Sequence, residues 1–378
     1  MVKFTGDKYL YSGYYLPEFW KWVQANVGLN VKDLKPVQKD MECDPPQNTN
    51  HEFLNALNEE KCYSRRSFEK WERIMHSHGA TVREIFALRF GRFERYVDVV
   101  LYPIDTKQVE KIVELANAHN VILIPYGGGT NVTQALYLRT HQEEKRMIVS
   151  LDMSRMNKIL WVDKDNMIAC VQAGIRGQDL ERDLKMSGVV SGMEPDSSEY
   201  STLGGWCATR ASGMKKNTYG NIEDIVQGMT FVTSKGTYKK NEHWPRISAG
   251  PDINQLILGQ EGNYGVVTEV IIRVRPVPEV MNFASIIFPN FEIGQKFMEE
   301  MSKQLVYPSS LRLVDNIQFQ FGQSLKPAET SQYKKIINAI KKAYVLNVAG
   351  FKPDEMCAAT ALFEGGKIDC ERREAEMM

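Results

Sequence analysis

The sequence has no excess of charge: 47 Lys and Arg stand against 47 Asp and Glu over 378 residues. That balance removes the attraction on which nonspecific nucleic-acid binding depends, so no nucleic-acid partner is expected. With 25% charged and 43% hydrophobic residues, disorder is excluded as well. No run approaches the ~18 apolar residues that a membrane span needs. The first residues, MVKFTGDKYLYSGYYLPEFWKW, lack both an uninterrupted apolar stretch and a small-residue cleavage site. Cysteines 43, 62, 170, 207, 357 and 370 form no C-x-x-C pair, and Cys170 sits inside the apolar run Met167–Val171, the usage of a reduced compartment. His76 and His78 have H-x-H spacing but no third ligand, so no metal is expected. Internal repeats and low-complexity tracts are missing too.

Two nucleotide motifs are also missing. A Walker A loop needs Gly-Lys-[Ser/Thr], and no such triplet occurs. The dinucleotide fingerprint G-x-G-x-x-G finds Gly127 and Gly129, but its third position is Val132, too bulky for close helix-to-strand contact.

What is present is punctuated. Residues 15–90 read as helical and polar, with Pro17 ahead of Glu18–Val23, a short piece at Phe53–Leu57 and another near Phe68–His76. The aromatics of the N-terminal segment, Phe4, Tyr9, Tyr11, Tyr14, Tyr15, Phe19, Trp20 and Trp22, are expected to pack on the protein body rather than on lipid. From Val97 the pattern changes. Val97–Leu101 reads as a strand, and Asp105 or Thr106 caps a helix with Val109, Ile112, Val113 and Ala116 on one face. Val121–Ile124 closes a β-α-β unit. Strands are expected at Ile148–Leu151, Met167–Gln172, Val226–Thr233 and Val266–Val274, with a helix Gln178–Met186 that stops at Gly188. Pro276 and Pro278 mark a boundary, after which Phe283–Phe288, Phe291–Leu305 and Ser310–Val314 read as a second β-α-β piece. The division expected is a mainly helical segment 1–92, a nucleotide domain 93–277 and a further domain from 278 to 378.

Directly after Val121–Ile124 comes Pro125-Tyr-Gly-Gly-Gly-Thr-Asn131. Glycine removes the Cβ that would hold a ligand off the main chain, so successive amides can turn toward one anion. Three more stretches use similar materials: Glu194–Gly205, Thr209–Gly213 and Gly259–Val266. One such loop alone is more often an ordinary turn, but four within one region suit an elongated polar ligand.

The stretches PYGGGTNV, EPDSSEYSTLGGWCATRASGMKKNTYGNIEDIV and GQEGNYGVVTEVIIRVRPVPE resemble the FAD-binding segments of the vanillyl-alcohol-oxidase, or PCMH-type, flavoproteins, and within them the alkyldihydroxyacetonephosphate synthases. Further matches lie in HSHGATVREIFALRFGRFERYVDVVLYP, SLDMSRMNKILWVD and PSSLRLVDNIQFQFGQSLKP. The resemblance implies an α+β fold: a two-subdomain PCMH-type FAD-binding domain, an N-terminal helical segment and the start of an α/β cap. It implies that FAD is held by Pro125, Tyr126, Gly127, Gly128, Gly129, Thr130 and Asn131. It adds Asp196, Ser197, Ser198, Glu199, Tyr200, Ser201 and Thr202, then Thr209, Arg210, Ala211 and Ser212. Last come Glu261, Gly262, Asn263, Tyr264, Gly265, Val266 and Val267. Asn131 departs from the family's usual serine, and Asn263 and Tyr264 from Thr and Leu. No His or Cys occurs in Tyr126–Val132, so the FAD is expected to be non-covalent.

The implied chemistry has no net redox change. Acyl-dihydroxyacetone phosphate and a long-chain fatty alcohol become alkyl-dihydroxyacetone phosphate and a fatty acid, the ether-bond step of ether-lipid biosynthesis, with the flavin N5 as a temporary carbon acceptor. The motif SSLRLVDN carries the family's cap arginine onto Arg312, which alternatively forms a salt bridge to Asp315. Lys215 and Lys216 either neutralise phosphate or form a solvated pair. The family's base tyrosine, histidine cluster and substrate arginine follow AATALFEG in a region not found before Met378, so the expectation is a truncated chain with little or no synthase activity. The family also implies a homodimer, possible peripheral membrane contact and a peroxisomal location, though no targeting signal is evident. Two alternatives stay open: an FAD-linked 2-hydroxy-acid dehydrogenase or oxidase, and a non-catalytic FAD-binding fragment that pairs with a full-length subunit.

Overall fold

The computed structural model describes residues 2–5, 12–30, 32, 34–240, 248–304, 307–328 and 331–377. They form two compact units, Val37–Val277 and a second made of Met1–Pro36 with Pro278–Met378. The stretch 1–92, taken as one segment in the sequence reading, thus contributes to both.

In the first unit, the helix Thr106–Ala118 organises two sheets. Asp105 caps it by accepting the Gln108 N–H at 2.8 Å, and Val109, Ile112, Val113 and Ala116 are its buried face. Each large residue buried there contributes about 1.5–3 kcal/mol. It links strands Val99–Tyr102 and Ile122–Tyr126, which lie parallel on either side of Ile148–Asp152, while Arg65–Ser67 pairs antiparallel on the outer edge. A five-stranded antiparallel sheet follows, in the order Gly236–Lys239, Val226–Thr233, Val266–Arg273, Ile168–Gln172, Ile159–Asp163. Val232 and Val266 of this sheet share one apolar core with Val99, Leu101, Val149, Leu151 and the helix, so the two sheets pack about it. A second core behind the larger sheet holds Leu180, Leu184 and Trp206.

The N-terminal part of this unit is less helical than its composition suggests. Between residues 34 and 50 no helix occurs, and the strand Arg65–Ser67 separates His51–Glu60 from Lys70–Met75 and Val82–Phe90. The piece expected at Phe53–Leu57 is longer because Asn50 caps it, accepting the Phe53 N–H at 3.0 Å. Strands Ile159–Asp163 and Gly236–Lys239 were not foreseen; both are short edges whose residues are largely exposed or half-buried, so they show little apolar alternation.

In the second unit, Cys357–Gly365 runs antiparallel between Val280–Phe288 and Ser310–Val314. The helix Phe291–Lys303, capped by Asn290, connects the two outer strands. The expected β-α-β piece is therefore present with a strand inserted between its arms; Leu305, the end expected for its helix, lies outside the described residues. Lys367–Met377, expected as a polar tail, is a helix that buries Cys370 and Met377 against Phe363 and Met301. Phe19 and Trp22, on Phe19–Val27, meet Phe321 at ring-centroid distances of 6.1 and 5.0 Å, whereas Tyr14 and Tyr15 are exposed. Tyr9 and Tyr11 lie outside the described residues. No described helix is long and apolar enough to cross a membrane.

Candidate functional site

Strand Ile122–Tyr126, at one edge of the four-stranded sheet, leads into the glycine run. There, residues 123–133 line a cleft of about 460 Å³. Two other stretches complete it: Ser197, Ser201, Thr202, Gly204, Gly205 and Trp206 on one, and Gln260–Asn263 with Gly265–Val267 on the other. The main-chain N–H groups of Gly128, Gly129 and Thr130 find no acceptor among the described residues. Successive unpaired amides facing a cleft are the physical form of an anion nest.

The glycines have a reason beyond ligand approach. An added Cβ on Gly127 would run into the Thr202 hydroxyl, and one on Gly128 into the Tyr200 carbonyl oxygen and to 3.0 Å from Ser201 Cα. These two residues let the first loop lie directly on the second. Gly129 has φ +64°, the left-handed region in which side chains are disfavoured.

The second loop turns into the helix Leu203–Thr209, where Thr202 accepts the Gly205 N–H at 3.3 Å. Ser201 accepts the buried Trp206 indole N–H at 2.8 Å, which fixes the indole at the cleft wall. The third loop is tied to this helix by main-chain bonds, from Gly259 N–H to the Cys207 carbonyl and from Glu261 N–H to the Ala208 carbonyl, both 2.9 Å. Glu261 is the one ionisable acid lining the cleft among the described residues, and it accepts the Thr133 hydroxyl at 3.0 Å. Asn131 is structural as well as lining: its carbonyl accepts the Ala80 N–H at 2.8 Å and its amide oxygen the Ala135 N–H at 3.2 Å.

Behind the first loop lies a buried polar pair. His76 Nε2 is 2.6 Å from Asp152 Oδ2, and its Nδ1 donates to the Glu72 carbonyl at 2.6 Å. The Tyr126 ring rests on this imidazole at a centroid distance of 4.2 Å. Burial, reinforced by the Asp152 charge, pushes the Tyr126 phenol up to about 12. His78 turns elsewhere, with Nδ1 on the Gly79 carbonyl at 2.6 Å and its ring stacked on Phe93. No group of three or more potential metal ligands exists among the described residues.

The expected site residues divide clearly. Pro125 to Asn131, Ser197, Ser201, Thr202, Thr209, Ala211, Glu261 to Asn263, and Gly265 to Val267 line the cleft. Asp196, Ser198, Glu199, Tyr200, Arg210, Ser212 and Tyr264 do not. Residues 197–201 form a tight turn, with the Ser197 carbonyl accepting from Tyr200 and Ser201, and that turn carries 198–200 away from the cleft wall. Arg210 faces Glu223 at 3.7 Å, Ser212 bonds Asn221 at 2.7 Å, and Tyr264 is 69% exposed. Lys215 is ion-paired with Glu194 at 3.0 Å. Arg312 lies in the second unit, exposed on strand Ser310–Val314 opposite Thr360. Cleft residues that sequence reasoning missed include Leu136, Met153, Ala173 and Trp206. For Trp206 and the glycines before it, the quoted Leu-Gly-Gly-Trp run was the available signal; Met153 and Ala173 had none.

A cleft lined by hydroxyls, amides and glycine main chain together with the apolar Leu123, Ile124, Val266 and Val267 suits a molecule with a diphosphate and a flat apolar ring. The fold and site define a flavin-nucleotide-binding protein. Residues 97–241 match the family described as FAD binding domain, and 277–378 match the FAD linked oxidases, C-terminal domain. The chain thus carries both of these domains, and FAD is its cofactor. It is similar to the alkyldihydroxyacetonephosphate synthase of Caenorhabditis elegans, with 46% identity over 100% of this chain and 62% of that one. Its similarity to the synthase of Dictyostelium discoideum is 34% identity over 93% of this chain and 58% of that one. A solved structure, "alkyldihydroxyacetonephosphate synthase in P1", superposes with a TM-score of 0.87 at 32% identity, covering 97% of this chain and 66% of that chain. The expected mixed α+β PCMH-type architecture is thus the fold. The chain spans 62% of the length of the worm relative.

Proposed function

We propose that this chain serves alkyldihydroxyacetonephosphate synthesis: with FAD bound, the acyl group of acyl-dihydroxyacetone phosphate is exchanged for a long-chain fatty alcohol, releasing the fatty acid. The similarity to two synthases over nearly all of this chain supports the assignment. One observation in the structure carries the cofactor half of the reading: Gly128, Gly129 and Thr130, whose N–H groups have no acceptor among the described residues, line the cleft. FAD supplies an electron sink beside the substrate carbon, in a reaction that is redox-neutral overall.

The residues have separable roles. Gly128 to Thr130 bind the diphosphate through their amides, which offset its charge where no Lys or Arg lines the cleft among the described residues. Thr130, Ser197, Ser201, Thr202 and Thr209 supply hydroxyl contacts along the nucleotide. Trp206, Val266 and Val267 exclude water from the apolar end. No His or Cys lines the cleft among the described residues, so the cofactor is held without a covalent bond. Asp196, Ser198, Glu199, Tyr200, Arg210, Ser212 and Tyr264 act at most by supporting the loops. Arg312 is the proposed catalytic arginine of the cap. A peroxisomal site of action, a homodimer and peripheral membrane contact belong to the same proposal, which rests there on the similarity alone.

One experiment tests the reading. The purified protein is loaded with FAD and incubated with acyl-dihydroxyacetone phosphate and radiolabelled hexadecanol, and alkyl product is counted; a second portion receives D-lactate or glycolate. No bleaching by the hydroxy acids is expected; label in the ether product would show that this chain alone carries the activity, and its absence would match the expectation of a chain with little or no synthase activity. Bleaching by a 2-hydroxy acid without ether product would replace the proposal with an oxidase. Acid precipitation should release all yellow colour from the polypeptide.

A further inference from the structure

We propose that the Tyr126 hydroxyl donates a hydrogen bond to the diphosphate of bound FAD, and that the buried His76–Asp152 pair behind the ring holds it at that post. The inference rests on the FAD reading above and adds a side-chain donor to the main-chain nest.

Tyr126 ends the strand that delivers the loop, and it lines the cleft. Its ring folds beneath the glycines: an added Cβ on Gly129 would meet the phenol oxygen and come to 3.1 Å from Cζ. The hydroxyl therefore sits against the same short span whose amides are unpaired. It has no hydrogen-bond partner among the described residues, and it is not sealed in the interior. A polar group left unpaired beside an anion nest is best explained by the ligand that completes it.

The other face of the ring is pinned. His76 is held at both nitrogens, since the Glu72 carbonyl can only accept and Asp152 Oδ2 lies 2.6 Å from Nε2. Tyr126 and Asp152 are also register partners across neighbouring parallel strands, so the carboxylate is fixed relative to the ring by the sheet itself. With its pKa pushed to about 12, the phenol remains a donor throughout the physiological range.

The test is Tyr126→Phe in the whole chain, which keeps the ring and its stack and removes one oxygen. Dissociation constants for FAD and for ADP are measured by titration calorimetry, with the urea midpoint of the apoprotein as a folding control. Loss of a hydrogen bond to a charged group is expected to weaken both ligands about tenfold to a hundredfold, with the apoprotein midpoint little changed. ADP should also shift the near-ultraviolet tyrosine absorbance of the wild-type protein, and this shift should vanish in Y126F. Unchanged affinities would overturn the proposal. Weakening for FAD with none for ADP would overturn it too, because the hydroxyl would then serve the flavin end. A wild-type chain that binds neither ligand sinks the FAD reading and this inference together.

Discussion

Replacing Gly128 with alanine puts a methyl group where the Tyr200 carbonyl oxygen and Ser201 Cα already stand. Both obstacles are backbone, so neither swings aside as a side-chain tip would, and the two loops must separate. Overpacking of this kind costs about 1–3 kcal/mol. If that energy is spent by parting the loops, FAD affinity falls about 5- to 150-fold at the same conversion of free energy to binding constant. The assay pairs a flavin-fluorescence titration with urea denaturation of the apoprotein. Gly91→Ala is the control, because its φ is −145° and its nearest neighbours are 3.6 Å away in Ala87; a change within about 0.5 kcal/mol is expected there. Gly128→Ala with wild-type FAD affinity would refute the claim that contact between the loops builds the cleft.

Other outcomes follow from the same structure. Asn50→Ala removes the cap of His51–Glu60 and should cost about 1 kcal/mol in a denaturation series, with no effect on flavin affinity beyond that loss. Asp152→Ala leaves one nitrogen of the buried His76 without a partner and should cost about 1–3 kcal/mol, read as a lowered urea midpoint. Glu181 accepts from the Ser191 and Gly192 N–H groups at 3.0 and 3.1 Å, yet burial outweighs these bonds and raises its pKa above the usual carboxylate value. A carboxyl raised on folding favours the folded state fully below its unfolded pKa, and that contribution is lost as pH rises through the folded value. Glu181→Gln keeps an acceptor oxygen there, so it should stabilise the protein at pH 7.5 relative to wild type and lose that advantage toward pH 4.5; an advantage that grows toward acid would contradict the sign.

The parts of the fold that showed in the sequence are those where one physical signal dominates. Val226–Thr233 is an almost wholly buried strand rich in the strand formers Val, Thr and Phe, and Thr106–Ala118 shows its cap and its buried stripe together. Lys367–Met377 looked like a polar tail because only Cys370 and Met377 of its residues are buried, too sparse a stripe to register as a helical period. At the cleft, the sequence shows which loops are rich in glycine and hydroxyls but not which residues of a loop face inward. Ser197 and Ser201 line the cleft while Ser198 to Tyr200 do not, a difference set by one turn. Gly128 reads as room for a ligand, and its actual neighbour, the Tyr200 carbonyl, lies 72 positions away in the chain, a proximity that pattern alone does not carry.

The most direct measurement is a crystal structure of the protein with FAD. The account predicts diphosphate oxygens about 2.7–3.2 Å from the main-chain nitrogens of Gly128, Gly129 and Thr130. FAD seated elsewhere, or seated in this cleft with those three amides still unpaired, would contradict it.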